Sequence, residues 1–173
     1  MYKLIIPLTL VLLLGACATP AMHQSMQIGV QDLPATTNVN LKDQVNVRNV
    51  SGGKDTNPLW TSQVDGPSFK IALEQSLNVI GYKSQKPDAA KYQVDAVLQD
   101  LNQPMFGLTF NVQSAILYTV SSEGKQSVFP ITATGTATAS DHLFATERLR
   151  IANERSIREN ISQFLKKITD QFK

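Results

Sequence analysis

Between Tyr92 and Ala139 the chain alternates apolar and polar residues in three successive runs, and this constrains its fold more than any other feature. Tyr92, Val94, Ala96 and Leu98 share one parity. Leu108, Phe110, Val112, Ile116, Tyr118 and Val120 share the next, and Phe129, Ile131, Ala133, Gly135, Ala137 and Ala139 the third. A period of two puts successive side chains on opposite faces, so each run predicts a half-buried strand. Connections through Asn102–Gly107 and Ser121–Lys125 are short enough for an antiparallel meander. Opposite the third run stands a threonine ladder, Thr132, Thr134, Thr136 and Thr138, which β-branching favours and water tolerates. The sheet is therefore apolar on one face and largely polar on the other.

Helices must cover the apolar face, and two are legible. Asp65-Gly66-Pro67 supplies a capping oxygen and a first-turn proline; Phe69, Ala72 or Leu73, Leu77 and Ile80 follow at helical spacing, and Gly81 is placed to stop the helix. A longer helix is predicted from about His142 to Phe172, capped by Ser140 or Asp141. Its stripe is Ile157, Ile161, Phe164, Leu165, Ile168 and Phe172, extended by Leu149 and Ala152. Arg148, Arg155, Arg158, Glu159 and Lys166 mark its polar side, with Glu154 and Arg158 at a favourable four-residue spacing. Upstream, Val45 and Val47 alternate with Gln44, Asn46 and Arg48 as one further strand. The order β-α-β-β-β-α predicts an α+β two-layer sandwich, a four-stranded, mainly antiparallel sheet with two helices on one face. The small residues Ala133, Gly135, Ala137 and Ala139 would let one helix approach closely.

The remaining N-terminal stretch divides at Cys17. Residues 1–16 carry Lys3, an eleven-residue apolar run from Leu4 to Leu14, and Gly15-Ala16. That run is too short to cross about 30 Å of hydrocarbon and has the parts of a secretory signal peptide. Residues 17–42 show no sustained periodicity and predict a flexible tether with a short strand near Gln27–Val30, leaving 43–173 as a single α/β domain. The composition fits one domain: 173 residues, 42% hydrophobic, 17% charged. Sixteen basic side chains against fourteen acidic ones give too little excess for a nucleic-acid surface. One cysteine and two histidines argue against disulfides, zinc or haem, and no cofactor is expected.

Leu14-Gly15-Ala16-Cys17 resembles the lipobox of bacterial lipoproteins. The resemblance implies a diacylglyceryl group on the Cys17 thiol, cleavage before it and acylation of the new amino terminus. The alternative is that Cys17 is an incidental small residue in an ordinary cleavage region. Cleavage there leaves 157 residues with 15 basic and 14 acidic side chains. Two or three acyl chains, at about 0.8 kcal/mol per buried methylene, anchor firmly where one does not. Since the residue after the cysteine is Ala18 rather than Asp, the resemblance implies the outer membrane, on its periplasmic face. With lipobox, tether and element order together, the chain resembles the small α/β outer-membrane lipoproteins of Gram-negative bacteria, the YajG-like group. That resemblance carries no catalytic residue.

Residues that could carry chemistry are few. Gly52-Gly53-Lys54 lacks the spacing and the Ser or Thr of a phosphate loop and reads as a surface loop. Ser140-Asp141-His142 are consecutive at a helix start, where capping explains them better than a triad. His23 lies in the expected tether, and the sequons at Asn49 and Asn160 have no meaning on a bacterial export route. Asp95, Asp100, Glu147, Glu154 and Glu159 show no spacing that pairs them for acid-base work. Two apolar loops remain: Pro104-Met105-Phe106, and Pro58-Leu59-Trp60 with the single tryptophan. Trp60, Met105 and Phe106 either fold back over the core or contact a partner or lipid.

The expected function is accordingly a non-enzymatic domain, held to the membrane through the Cys17 lipid, that binds an envelope protein or other envelope component in a structural or assembly role. The alternative is lipid carriage or a transport-machine accessory role, with a lipid-sized groove between the small-residue strand and a helix. An enzyme is a third reading and needs a cleft gathering polar groups that the sequence separates.

Overall fold

The computed structural model describes residues 18–59 and 61–172; residues 1–17, with the signal segment and Cys17, and also Trp60, lie outside them. Four strands form one mixed sheet in the order β1-β2-β3-β4: β1 Val45–Gly52, β2 Tyr92–Asn102, β3 Phe110–Ser122 and β4 Lys125–Ala137. β2, β3 and β4 are the antiparallel meander expected from their alternation, while β1 runs parallel to β2. Among the described residues three α-helices accompany the sheet, α1 His23–Met26, α2 Gly66–Val79 and α3 Ala145–Gln171, one more than the pattern predicts. The parallel pair is connected through α2, as such pairs require.

Burial follows sequence parity closely. In β4 the side chains of Phe129, Ile131, Ala133 and Ala137 point inward, and Thr132, Thr134 and Thr136 point to solvent. Asp65 caps α2 by accepting from the Ser68 amide at 2.7 Å, and Gly81 turns the chain away with φ +79°. At the centre, the ring of Tyr118 stacks on Phe164 with centroids 4.0 Å apart. At Gly135 the backbone of α3 comes close to the sheet: a Cβ there would lie 2.2 Å from both the Ala152 carbonyl oxygen and the Ser156 nitrogen.

Three expectations fail for identifiable reasons. Residues 18–42 are no free tether, because Met26, Ile28 and Leu41 are fully buried in the main core. α1 packs against both α2 and α3, and the segment is bonded along its length. The Ile28 amide donates to Ser76 Oγ, the Asn38 amide to the Tyr82 hydroxyl, and the Arg158 guanidinium to the Ser25 carbonyl. Its apolar residues fit neither period because they seat individually, and the short strand expected near Gln27–Val30 is an extended stretch entering a 3-10 turn. α3 begins at Ala145, not His142, and neither Ser140 nor Asp141 caps it, since Asp141 instead closes a turn onto the Thr138 amide and hydroxyl. Leu108 and Ala139, expected inward, are exposed because β3 starts at Phe110 and β4 ends at Ala137.

Candidate functional site

Where β2 and β4 end and β3 begins, three connections and the start of the described chain meet. Gln103, from the β2–β3 loop, donates through Nε2 to the Ser62 carbonyl at 2.8 Å and to Asn153 Oδ1 at 2.7 Å, and its Oε1 accepts from Gln63. Asn153 of α3 donates to the same Ser62 carbonyl at 3.0 Å. These bonds tie the loop before α2 and the β2–β3 loop to one face of α3.

Arg148 makes the second tie. Its guanidinium donates to the carbonyls of His142 (3.0 Å), Leu143 (2.7 Å) and Gly107 (3.3 Å) and lies over the Phe110 ring, 5.5 Å from its centroid. Placed on the polar side by its sequence spacing, Arg148 is in fact buried. It binds the β4–α3 connection to the β2–β3 loop by satisfying carbonyls that neither strand nor helix uses.

The N-terminal segment is fastened to the same end. The Ala18 amide donates to the Pro58 carbonyl at 2.8 Å and the Ala21 amide to the Gln63 carbonyl at 3.1 Å. Thr19 Oγ1 donates to Glu147 and the Met22 amide to Glu154, at 3.0 and 2.9 Å. Arg150 bridges both carboxylates, at 2.8 Å to Glu147 and 2.6 Å to Glu154. Burial would raise the Glu147 carboxyl, but hydrogen bonds from Arg150 and Thr19 hold it below its ordinary value. Glu154 thus pairs with Arg150, and Arg158, four residues on, is spent on Ser25.

What these ties hold outward is apolar. Met105 and Phe106 are 84% and 83% exposed, so they do not fold back over the sheet end. Leu143 is as open, Leu59 and Leu108 nearly so, and Phe144 is half-exposed. Thr61, Pro104, Met105, Phe106 and Leu149 share one shallow groove. Trp60 adjoins Leu59 in sequence but lies outside the described residues. Leu108, Leu143 and Phe144 escape sequence reasoning because the first was counted into a strand and the others into a helix. A usable signal existed: residues 56–64, 101–122 and 142–146 contain no Lys, Arg, Asp or Glu.

Two of the chemical candidates, Asp141 and His142, are spent on structure. Asp141 accepts from Arg155 at 2.6 Å as well as from Thr138, and these bonds hold its carboxyl at about 2. His142 Nδ1 accepts from the Phe144 amide at 3.2 Å. Asp141 and His142 thus serve the turn that leads from β4 into α3. Among the described residues no three His, Cys, Asp or Glu side chains gather as metal donors.

No protein-family model matches the sequence, and none of the curated proteins does. A solved structure does share its fold. A Caulobacter crescentus CB15 protein described as a "putative lipoprotein" aligns over 77% of this chain and 93% of its own, with 10% identity and a TM-score of 0.54. Looser alignments reach a hypothetical protein of Chlamydia trachomatis (9% identity, 75% and 91% of the two chains, TM-score 0.42) and a Xanthomonas campestris protein of the DUF330 family (8%, 88% and 93%, TM-score 0.46). At 10% identity the Caulobacter likeness is one of fold. Among the described residues no helix is long and apolar enough to cross a membrane.

Proposed function

We propose that the chain is a non-enzymatic, lipid-anchored domain on the periplasmic face of the outer membrane, binding a protein or another envelope component. The observation that carries this reading is Leu14-Gly15-Ala16-Cys17 at the end of an export-type segment. A fold shared with a bacterial protein described as a "putative lipoprotein" is in keeping with it. Asp141, His142, Glu147 and Glu154 are bonded into a turn and into ties to the N-terminal segment, which favours an interaction role over a reaction.

Lipid carriage requires a groove between β4 and α3, and that seam is closed at Gly135 by direct backbone contact. Binding through an exposed face of the domain needs no such groove. The test is fractionation of cells producing the native chain and Cys17→Ser, with the mass of the Cys17 peptide measured. The native chain is expected in the outer-membrane fraction with an acylated Cys17, and the variant in the soluble periplasm. An unmodified Cys17, or a variant that stays in the membrane fraction, overturns the anchor.

A further inference from the structure

We infer that the loop end of the domain carrying Met105, Phe106, Leu108, Leu143, Phe144 and Leu59 lies against the lipid bilayer itself. The inference rests on the anchor reading and adds an orientation to it. Its first support is the point of attachment. Cys17 is one residue before Ala18, and consecutive Cα atoms are about 3.8 Å apart. The Ala18 amide is bonded to the Pro58 carbonyl, next to Leu59, and Thr19 to the first turn of α3. A lipid on Cys17 therefore emerges at this end, with no slack chain to let the domain turn over.

The second support is the surface that the bilayer would meet. Leu59, Met105, Phe106, Leu108 and Leu143 are each at least 77% exposed, on three different loops that Gln103 and Arg148 hold together. Side chains of this kind are stable at the headgroup–acyl boundary, whereas charges there are costly to dehydrate. The apolar stretches of these loops, residues 56–64, 101–109 and 142–146, hold no Lys, Arg, Asp or Glu, and the charges of the same connections, Lys54, Asp55, Asp65 and Asp141, stand at their flanks. Arg148 is screened behind them, with its guanidinium on backbone carbonyls.

The third support is the contrast with the opposite end of the sheet. There, where β1 and β2 begin and β3 turns into β4, stand Lys42, Asp43, Lys83, Lys86, Asp88, Lys91, Glu123 and Lys125. One end suits lipid and the other water, and the acyl chains leave from the first.

The experiment uses the full chain, expressed with its signal segment and purified. The mass of the Cys17 peptide decides the anchor by itself. Acylated protein, or protein coupled through a free Cys17 thiol to a maleimide-bearing phospholipid, is placed on vesicles of phosphatidylethanolamine and phosphatidylglycerol. Its amide exchange is then compared with that of Cys17→Ser free in solution. Exchange across residues 103–109 and 142–146 is expected to slow about tenfold or more, with residues 83–91 and 122–125 unchanged. Phe106→Ser with Leu143→Ser, both at exposed positions, is expected to abolish the slowing. Equal exchange at both ends, or slowing that survives the double substitution, overturns the docking whatever the mass of the Cys17 peptide. The loops would then be free for a protein partner.

Discussion

Gly135→Ala is the most direct probe of how the two layers meet. The new methyl carbon would sit 2.2 Å from the Ala152 oxygen, 2.2 Å from the Ser156 nitrogen and 2.8 Å from the Arg155 carbonyl carbon. Carbon–oxygen contacts settle at about 3.3 Å or more, so α3 must retreat by about 1 Å. All three obstructing atoms are backbone, and no side-chain rotation relieves them. Retreat also stretches the bond from Ser156 Oγ to the Ala133 carbonyl, now 3.1 Å. Overpacking of this kind costs about 1–3 kcal/mol, and rigid backbone places it near the top of that range. Alanine returns about 0.5–1 kcal/mol by restricting the unfolded strand. The net loss is about 2 kcal/mol, or about 4–8 °C in Tm for a domain of this length. Urea and thermal unfolding followed by circular dichroism measure it, with Thr134→Ala on the solvent face as a control expected within about 0.5 kcal/mol. A Gly135→Ala protein as stable as the native chain would refute the claim that backbone contact fixes the spacing of sheet and helix.

Other perturbations test separate parts of the structure. Asn160→Ala strips Tyr118 of the acceptor for its hydroxyl and the Ile131 carbonyl of its Asn160 donor, and a loss of about 2–4 kcal/mol in urea unfolding is expected. Met26→Ala is expected to lose about 2–5 kcal/mol, because Met26 is fully buried; a loss below about 0.5 kcal/mol, as a surface substitution gives, would restore the tether. Asp141 has its carboxyl lowered from 3.8 to about 2 by the Arg155 and Thr138 bonds. A lowered folded-state value stabilises above the unfolded value and is lost as pH falls through the folded one. The stability gap between the native chain and Asp141→Asn should therefore be full above about pH 4, close towards pH 2, and shrink in high salt because the pair is exposed.

Strands β2 to β4 and both long helices were legible because each buries one face, and a single buried face imposes a period on the sequence. Phe129, Ile131 and Ala133 inward with Thr132 and Thr134 outward need no tertiary knowledge to read. Polar residues on the inner face of α3 were not legible. Asn153, Ser156 and Asn160 are buried because they serve Ser62, Ala133, Ser114 and Ile131, partners that only the folded sheet brings within reach. Arg148 was misplaced for the same reason. At the candidate site, Met105 and Phe106 could be picked out by sequence, but their exposure could not, since a loop apolar residue folds inward or outward according to what its neighbours leave open.

The segment from Ala18 to Leu41 is ordered without any period. Ala21, Met26, Ile28 and Leu41 occupy separate seats against α2, α3 and the strands beneath them, so nothing recurs along the chain, and the residues between them are the Thr, Asn, Gln and Pro of an ordinary linker. Composition without period reads as freedom, yet the bonds from Ala18, Thr19, Ala21, Met22, Ile28 and Asn38 leave the segment little of it. The functional consequence is large. A free linker of about 25 residues would reach an r.m.s. span of about 25–30 Å and let the domain turn any face to the membrane. Under the proposed anchor, a segment seated along the helices sets that span near zero and would bring acyl chains on Cys17 out beside Leu59 and Glu147. On that proposal orientation at the bilayer is a property of the fold, and the charged end and the threonine face of the sheet would be the surfaces left for a periplasmic partner.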